Sequence, residues 1–341
     1  MTRVAGDVLV TGGSGFVGGA VLARLVAEGR SVRALARSGD AARAVEAAGA
    51  RAVRGDVLDP SSLLEAMRGC DVVFHAAGVN AMCLPDPGPM LRTNVEGTAN
   101  VVRAAAAAGV RRVVHTSSAS AIGEPAGTIG REDTPHRGTY LSAYERSKHL
   151  AERRALELGR ALGTDVVCVN PASVQGPGRV TGTARLLLAA ARGRLPFLVD
   201  ARFSVVDVAD CVEGHLLAER RGAPGERYLL AGATLTVREA LDLFARVAGF
   251  RPRAWFLPPR AALAVAGAAE LAARLLGRGA PICREMVRTL LHGHAYDGSR
   301  AERELGLRYT PVEETLRRAL EWYAARGLLP SPAGPPRPGA A

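Results

Sequence analysis

The chain has 341 residues, 48% of them apolar and 4% aromatic, and a formal charge of +11. That length and apolar content suit one large globular domain, or a large one with a small one, and exclude a disordered or fibrous chain. The positive charge lies in isolated arginines and short pairs such as Arg111-Arg112, Arg153-Arg154 and Arg317-Arg318. No basic run is interleaved with aromatics, which argues against a nucleic-acid partner.

The longest apolar stretch, residues 261–269, is too short to span a bilayer, so no stable membrane insertion is expected. Met1 to Asp7 does not resemble a signal peptide. The five cysteines (70, 83, 168, 211 and 283) are scattered and odd in number. They argue against a disulfide framework and a zinc site, and for a reducing cytoplasm.

The first predicted element is a buried strand at residues 8–10, followed by Gly12, Gly15 and Gly18 and a helix over about 16–28 that begins Phe16-Val17. A strand turning sharply into a helix aims free N–H groups and the positive end of the helix dipole at one spot. That spot suits the pyrophosphate of a dinucleotide. Gly12 supplies an unusual φ, Gly15 lets the backbone approach the phosphates, and Gly18 lets the helix lie close on its strand.

A strand at 31–36 then ends at Arg37-Ser38-Gly39, and a helix over 40–48 follows. About 20 residues beyond the glycines, an acid would bind the ribose 2′-OH of NAD. Here that position is Arg37, followed by Ser38, which suits the 2′-phosphate of NADP(H); Asp40 would be the acid if the strand ran longer. A short strand at 52–53 leads to Asp56-Val57, and a helix covers 60–67. The strand at 71–75 closes on Ala76-Ala77-Gly78. A long helix over 89–108 carries Asn94, and a strand at 112–116 runs through Thr116 into Ser117-Ser118. A Gly- and Pro-rich loop spans 119–138. The next helix holds Tyr144 and Lys148, and a strand at 165–169 ends at Asn170-Pro171. This alternation implies an α/β fold of the Rossmann type, a doubly wound parallel sheet over residues 1–178.

Beyond residue 178 the pattern becomes irregular. Helices are expected at 183–192, 208–220 and 236–248, the last with a Thr236-x-x-Glu239 capping pattern. An Ala- and Leu-rich helix over 259–276 packs on the body or touches a membrane surface. A final helix starts at Pro311 and carries Leu316, Leu320 and Tyr323. Residues 179–328 then form a smaller, mostly helical substrate lobe, with some chain exchanged between the two parts. Residues 329–341 read as a disordered tail. Phe197, Phe203, Trp255 and Phe256 offer this lobe apolar surface for a ring system, and Arg179, Arg185 and Arg202 offer it cations.

Of the 44 basic residues only Lys148 is lysine, and it stands four positions after Tyr144, on the same helix face. A chain that writes every other cation as arginine has used a compact ammonium here, which a planar guanidinium cannot replace. A phenol is a poor acid or base at neutral pH, and a neighbouring ammonium lowers its pKa toward useful proton transfer. Ser118, at the carboxyl end of a strand beside the glycine turn, can hydrogen-bond the same substrate oxygen. The catalytic set is therefore Ser118, Tyr144 and Lys148.

On these pieces the sequence resembles the extended branch of the short-chain dehydrogenase/reductases over roughly residues 7–326. The matching pieces are Thr11-Gly-Gly-Ser-Gly-Phe-Val-Gly18, Asp56-Val57, His75-Ala-Ala-Gly78, Asn94-Val-Glu-Gly-Thr98, Thr116-Ser-Ser118, Tyr144-x-x-x-Lys148, Asn170-Pro171 and Val206-Asp-Val-Ala-Asp210. Within the branch it is similar to the dihydroflavonol 4-reductase-like proteins and hopanoid-associated sugar epimerases. The resemblance implies that Asp56 and Val57 hold the adenine and that Ala76, Ala77 and Gly78 line the cofactor groove. Pro171, Ala172, Ser173 and Val174 would face the nicotinamide, and Lys148 would bind its ribose. Sugar-nucleotide epimerases often carry Tyr-Gly where this chain has Ile122-Gly123. Dehydratases carry Asp-Glu where it has Ala119-Ser120.

The expected activity is NADP(H)-dependent reduction of a ketone or aldehyde on a bulky small molecule, with NAD as the other cofactor option. The alternatives are a nucleotide-sugar epimerase that retains its cofactor and a non-catalytic dinucleotide sensor. A homodimer is compatible with the sequence. His292 and His294 read as surface residues with no carboxylate beside them, so no metal is expected. Cys168 and Cys211 read as core and His75 as a satisfied buried histidine. Asn94 reads as a hydrogen-bonding tie between helix and loop near the cofactor.

Overall fold

Short runs of Val, Leu and Ala with no alternating charge can only be buried on both faces, and they build the centre of the molecule. The structure, a computed structural model, describes residues 7–193, 195 and 197–329. The expected tail at 329–341, all but its first residue, and most of the N-terminal stretch read for a leader lie outside these.

The chain begins β1 (Asp7–Thr11), α1 (Phe16–Ala27), β2 (Val32–Ala36), α2 (Gly39–Ala47), β3 (Arg51–Arg54), α3 (Pro60–Met67) and β4 (Cys70–His75). It continues through α4 (Gly88–Leu91), α5 (Gly97–Ala107), β5 (Arg112–Thr116), β6 (Ile129–Gly130), α6 (Ala143–Leu162), β7 (Asp165–Pro171) and β8 (Ser173–Gln175). The remainder is α7 (Ala184–Ala191), β9 (Phe197–Leu198), β10 (Arg202–Asp207), α8 (Val208–Arg221), β11 (Arg227–Leu230), β12 (Ala233–Thr236) and α9 (Val237–Ala248). It closes with β13 (Trp255–Phe256), α10 (Pro259–Leu275), α11 (Arg284–His292), β14 (Ala295–Tyr296) and α12 (Val312–Ala325).

Seven strands form one parallel sheet in the order β11-β7-β5-β4-β1-β2-β3. Alternate residues fill opposite faces. Val8, Val10, Val72 and Phe74 meet Leu22 and Leu25 of α1 and Leu216 of α8. Leu9, Val73 and Val113 meet Leu63 of α3, Val102 of α5 and Ala155 of α6. Strand order reverses between β1 and β4, the switch point where doubly wound sheets open a binding crevice. The glycine turn follows β1 and Ala76 to Gly78 follow β4, so both loops stand at that crevice.

Residues beyond 178 return to this layer, β11 pairing with β7 and α8 packing on the sheet. A three-stranded sheet, β12-β10-β8, sits beside it, with two small parallel pairs, β13-β9 and β14-β6. The helix expected over 89–108 is two helices joined by a π-helical turn at Arg92–Glu96. Asn94 in that turn accepts from Val79 N–H at 2.7 Å and donates to Val79 C=O at 2.9 Å and to Ser147 Oγ at 2.8 Å. It is the expected tie between helix and loop.

The cysteine reading needs correction. Cys83 and Cys283 form a disulfide across 200 residues. Scattered spacing is no guide here, because the lobe folds back so that the segment leading into α11 meets the loop after β4. Cys70, Cys168 and Cys211 are free and buried, the last two in the core as expected. No helix among the described residues is long and apolar enough to cross a membrane.

Candidate active site

The glycine turn is built as its residue types require. Gly12 has φ +73°, and a Cβ there would stand 2.6 Å from Ala77 N. A Cβ on Gly18 would stand 2.3 Å from the Gly12 carbonyl oxygen, so the close seat of α1 on its strand admits only glycine. Helix α1 begins after Gly15 with no side-chain cap and no acid in its first turn. Its leading N–H groups and positive dipole end therefore suit an anionic group, and these residues fit the diphosphate of a dinucleotide.

Around this turn, Thr11 Oγ1 accepts from Ala77 N–H at 3.2 Å and bonds His75 Nδ1 at 2.7 Å, while His75 Nε2 bonds Thr98 Oγ1 at 3.0 Å. Burial and the Lys148 charge push the His75 pKa down to about 3. His75 is thus the satisfied, neutral core residue expected.

At the adenosine end, β2 stops at Ala36 and the Arg37 side chain is 76% exposed, 4.0 Å from Asp56. Ser38 caps α2 by accepting from Ala41 N–H. Asp40 lies in the first turn of α2, paired with Arg43, so the longer strand that would have made it the ribose acid does not form. Asp56 accepts from Leu58 N–H at 2.9 Å, and Val57 packs against Gly97.

The expected catalytic set comes together at the carboxyl ends of β5 and β7. Helix α6 is capped by Ser142 and places Tyr144 and Lys148 one turn apart on its inner side. Tyr144 stands beside Ser118, close enough for that hydroxyl to favour the phenolate. Ser118 Oγ also accepts from Ser120 Oγ at 2.9 Å, and its carbonyl accepts from Asn170 Nδ2 at 3.1 Å.

Lys148 Nζ donates to the Thr116 carbonyl at 2.9 Å, and a Cβ on Gly78 would stand 3.4 Å from it. Burial lowers the Lys148 pKa to about 8, against the opposing charges of Glu152 and Cys168. Burial raises the Tyr144 pKa. The opposing influences are the neighbouring Ser118 hydroxyl and the Arg179 charge, rather than the lysine expected for that role. Ser117 is buried with no partner for its hydroxyl, and Pro171 to Val174 run from the end of β7 into β8.

Several functional neighbours had gone unread. Glu152, buried one turn beyond Lys148, accepts from Arg227 Nη1 at 2.9 Å and from Asn170 Nδ2. Its i+4 spacing from Lys148 was the available signal. Arg179 does more than the sequence expects of one of three lobe cations. Its guanidinium donates to the Val174 carbonyl and lies 5.8 Å from the Phe16 ring centre, so it spans from β8 to the glycine turn. Arg185 and Arg202 are exposed, and so are Phe197 and Trp255, whereas Phe256 stacks under Arg238 at 4.0 Å.

The histidine pair also needs correction, because both side chains are largely buried against the buried carboxylate of Glu124. Glu124 is 170 residues away in sequence but follows the turn at Ala119–Ile122, which brings it to β14. His294 Nδ1 donates to its Oε1 at 2.6 Å, and His292 Nε2 donates to its backbone carbonyl at 3.1 Å. The three form a hydrogen-bonded cluster, and each also offers a ligand atom within 4.8 Å of the others, the spacing of a candidate metal site that the sequence did not suggest.

The chain can now be placed among known proteins. It is 34% identical over 327 residues to sterol demethylase protein B of Methylococcus capsulatus, covering 94% of this chain and 99% of that one. It is 35% identical over 304 residues to a 4-hydroxy-2-methyl-3-oxo-4-farnesyl-3,4-dihydroquinoline-1-oxide ketoreductase of Stigmatella aurantiaca, covering 87% and 90%. The crystal structure of gox2253 superposes with a TM-score of 0.82 at 32% identity, covering 95% and 99%. The model of the NAD dependent epimerase/dehydratase family matches residues 8–231, and the chain belongs to that family, within the extended short-chain dehydrogenase/reductases.

Proposed function

We propose that the chain reduces a ketone or aldehyde on a bulky, partly apolar small molecule, using NADP(H). The observation that carries this reading is Ser118 and Tyr144 side by side at the carboxyl end of β5, with Lys148 one helical turn away and an uncapped helix start at the sheet's switch point. A nicotinamide cofactor held in this groove would supply the hydride for the carbonyl carbon.

The chain does the rest. Ser118 and Tyr144 donate to the carbonyl oxygen, where negative charge develops and hydrogen bonds strengthen. Burial keeps the phenol protonated at neutral pH, so Tyr144 is a proton donor. The positive charge of Arg179 stabilises the phenolate left after transfer. Lys148, buried one helical turn from Tyr144 with its ammonium on the Thr116 carbonyl, would bind the ribose of the nicotinamide. NADP(H) is preferred because Arg37 is exposed at the end of β2, held only by a long 4.0 Å contact to Asp56, while Asp40 is occupied by Arg43. The bulky apolar substrate is supported by the names of the relatives, one a sterol demethylase protein and one a farnesyl-dihydroquinoline oxide ketoreductase.

One observation favours a second reading, an epimerase that retains its cofactor. Arg179 lies in the groove, and its planar fork suits a diphosphate. The test is stoichiometric. The purified protein should consume one NADPH for each steroid or long-chain ketone reduced. Conversion of UDP-glucose to its epimer with no net cofactor consumption would overturn the reductase reading.

A further inference from the structure

Surface helices usually turn their charges outward, and α10 does the reverse. Its inward positions include Ala262 and Ala266, which pack with Val287 of α11. Between Arg260 and Arg274 the outward positions are Ala264, Val265, Ala268, Leu271 and Ala272, spaced three and four apart, and the stripe continues into Leu275 and Leu276. Leu271 is 60% exposed, Leu275 80% and Leu276 68%. The one charged residue in that span, Glu270, turns toward α11, where its Oε1 accepts from Arg284 N–H at 2.7 Å. Just before the helix, Trp255 is 73% exposed and pairs across strands with the exposed Phe197.

Cations frame the stripe. Arg260 stands at one end and Arg274 and Arg278 at the other, none with a carboxylate partner among the described residues. Residues 251–288 hold seven arginines and two glutamates. Both glutamates are engaged, Glu270 as above and Glu285 by the backbone N–H groups of Cys83 and Ala143. A second copy docking on this stripe through a twofold axis would set like charges against each other. A bilayer with anionic headgroups satisfies both features at once, taking the leucines at the acyl boundary and the arginines at the phosphates.

We propose that α10 is a peripheral docking surface for anionic membranes, with Leu271, Leu275 and Leu276 entering the acyl boundary and Arg260, Arg274 and Arg278 at the headgroups. The test is co-sedimentation of the full chain with vesicles of phosphatidylcholine alone or mixed in equal parts with phosphatidylglycerol. Binding is expected to the mixed vesicles at low salt. It should fall about tenfold or more in L271Q/L275Q/L276Q, and likewise in R274E/R278E. All five side chains are exposed, so both variants should keep the parent's circular dichroism, and each serves if the other fails to fold. Absence of sedimentation with mixed vesicles would overturn the proposal, as would undiminished binding by the leucine variant. A dimer in gel filtration that the leucine variant converts to monomer would assign the stripe to a second copy instead.

Discussion

Replacing Lys148 by methionine is expected to abolish turnover and yet make the dinucleotide-free protein more stable at neutral pH. Lys148 is buried, and its pKa falls from 10.5 to about 8, with burial as the largest cause. That difference corresponds to about 3 kcal/mol against the folded state while the lysine is protonated in both states. Methionine removes the charge and keeps the volume, but it loses the 2.9 Å charge-assisted bond to the Thr116 carbonyl, worth about 2 kcal/mol. Glu152 retains Arg227 and Asn170, so the change leaves no unpaired buried carboxylate. The net gain is about 1 kcal/mol.

The pH dependence has a definite sign. Below the folded pKa of about 8 both states hold the proton and the whole penalty is present. From there to 10.5 the unfolded state binds a proton that the folded state has lost, so parent stability rises with pH. The gap between variant and parent should therefore be widest below pH 8 and close toward pH 10.5. Urea unfolding across that range reads it directly. A variant less stable than the parent at pH 7, or a gap that does not change with pH, would refute the reasoning.

Tyr144→Phe should cut kcat by about 10²–10⁴-fold while leaving dinucleotide affinity within about twofold, measured by turnover and by titration; near-normal turnover would remove Tyr144 from the mechanism. Arg37→Asp should lower kcat/KM with NADPH by about 10–100-fold and raise the relative use of NADH. A parent that already prefers NADH would contradict the 2′-phosphate role. Removing the Cys83–Cys283 link, by C83S/C283S or by reductant, frees a loop of 200 residues and should cost up to about 5 kcal/mol. Equal unfolding midpoints with and without reductant would show that the link contributes nothing.

The parts legible in the sequence are those whose signal is local. A buried strand, a glycine turn and a helix start lie within residues 8–18, and each glycine answers a contact a few residues away or on the adjoining strand. Tyr144 and Lys148 share one helix face, so their juxtaposition follows from helix geometry alone. The lone lysine among arginines added a compositional signal, and its ammonium is seated on the Thr116 carbonyl close to Gly78. The π-helical turn at Asn94 was not legible, since an alanine-rich run reads as an unbroken helix. The side-chain bonds that accompany the turn involve Val79 and Ser147 on other elements.

What the sequence concealed depends on chain reversal. Arg227 lies beyond the sheet's expected limit, yet β11 is a seventh strand beside β7, and that places its guanidinium on Glu152. Nothing around residue 227 marks it as part of the site; the mark is on Glu152, a buried carboxylate one helical turn from a buried ammonium. Such a carboxylate needs partners, and at this depth they come from other strands. Glu124 follows the same logic. It looks like an ordinary loop acid until the fold buries it, and its bonds then go to His292 and His294. A buried charge whose partners are absent from its own segment is therefore a sign that distant chain returns to that point, as β11 does to Glu152 and β14 to Glu124.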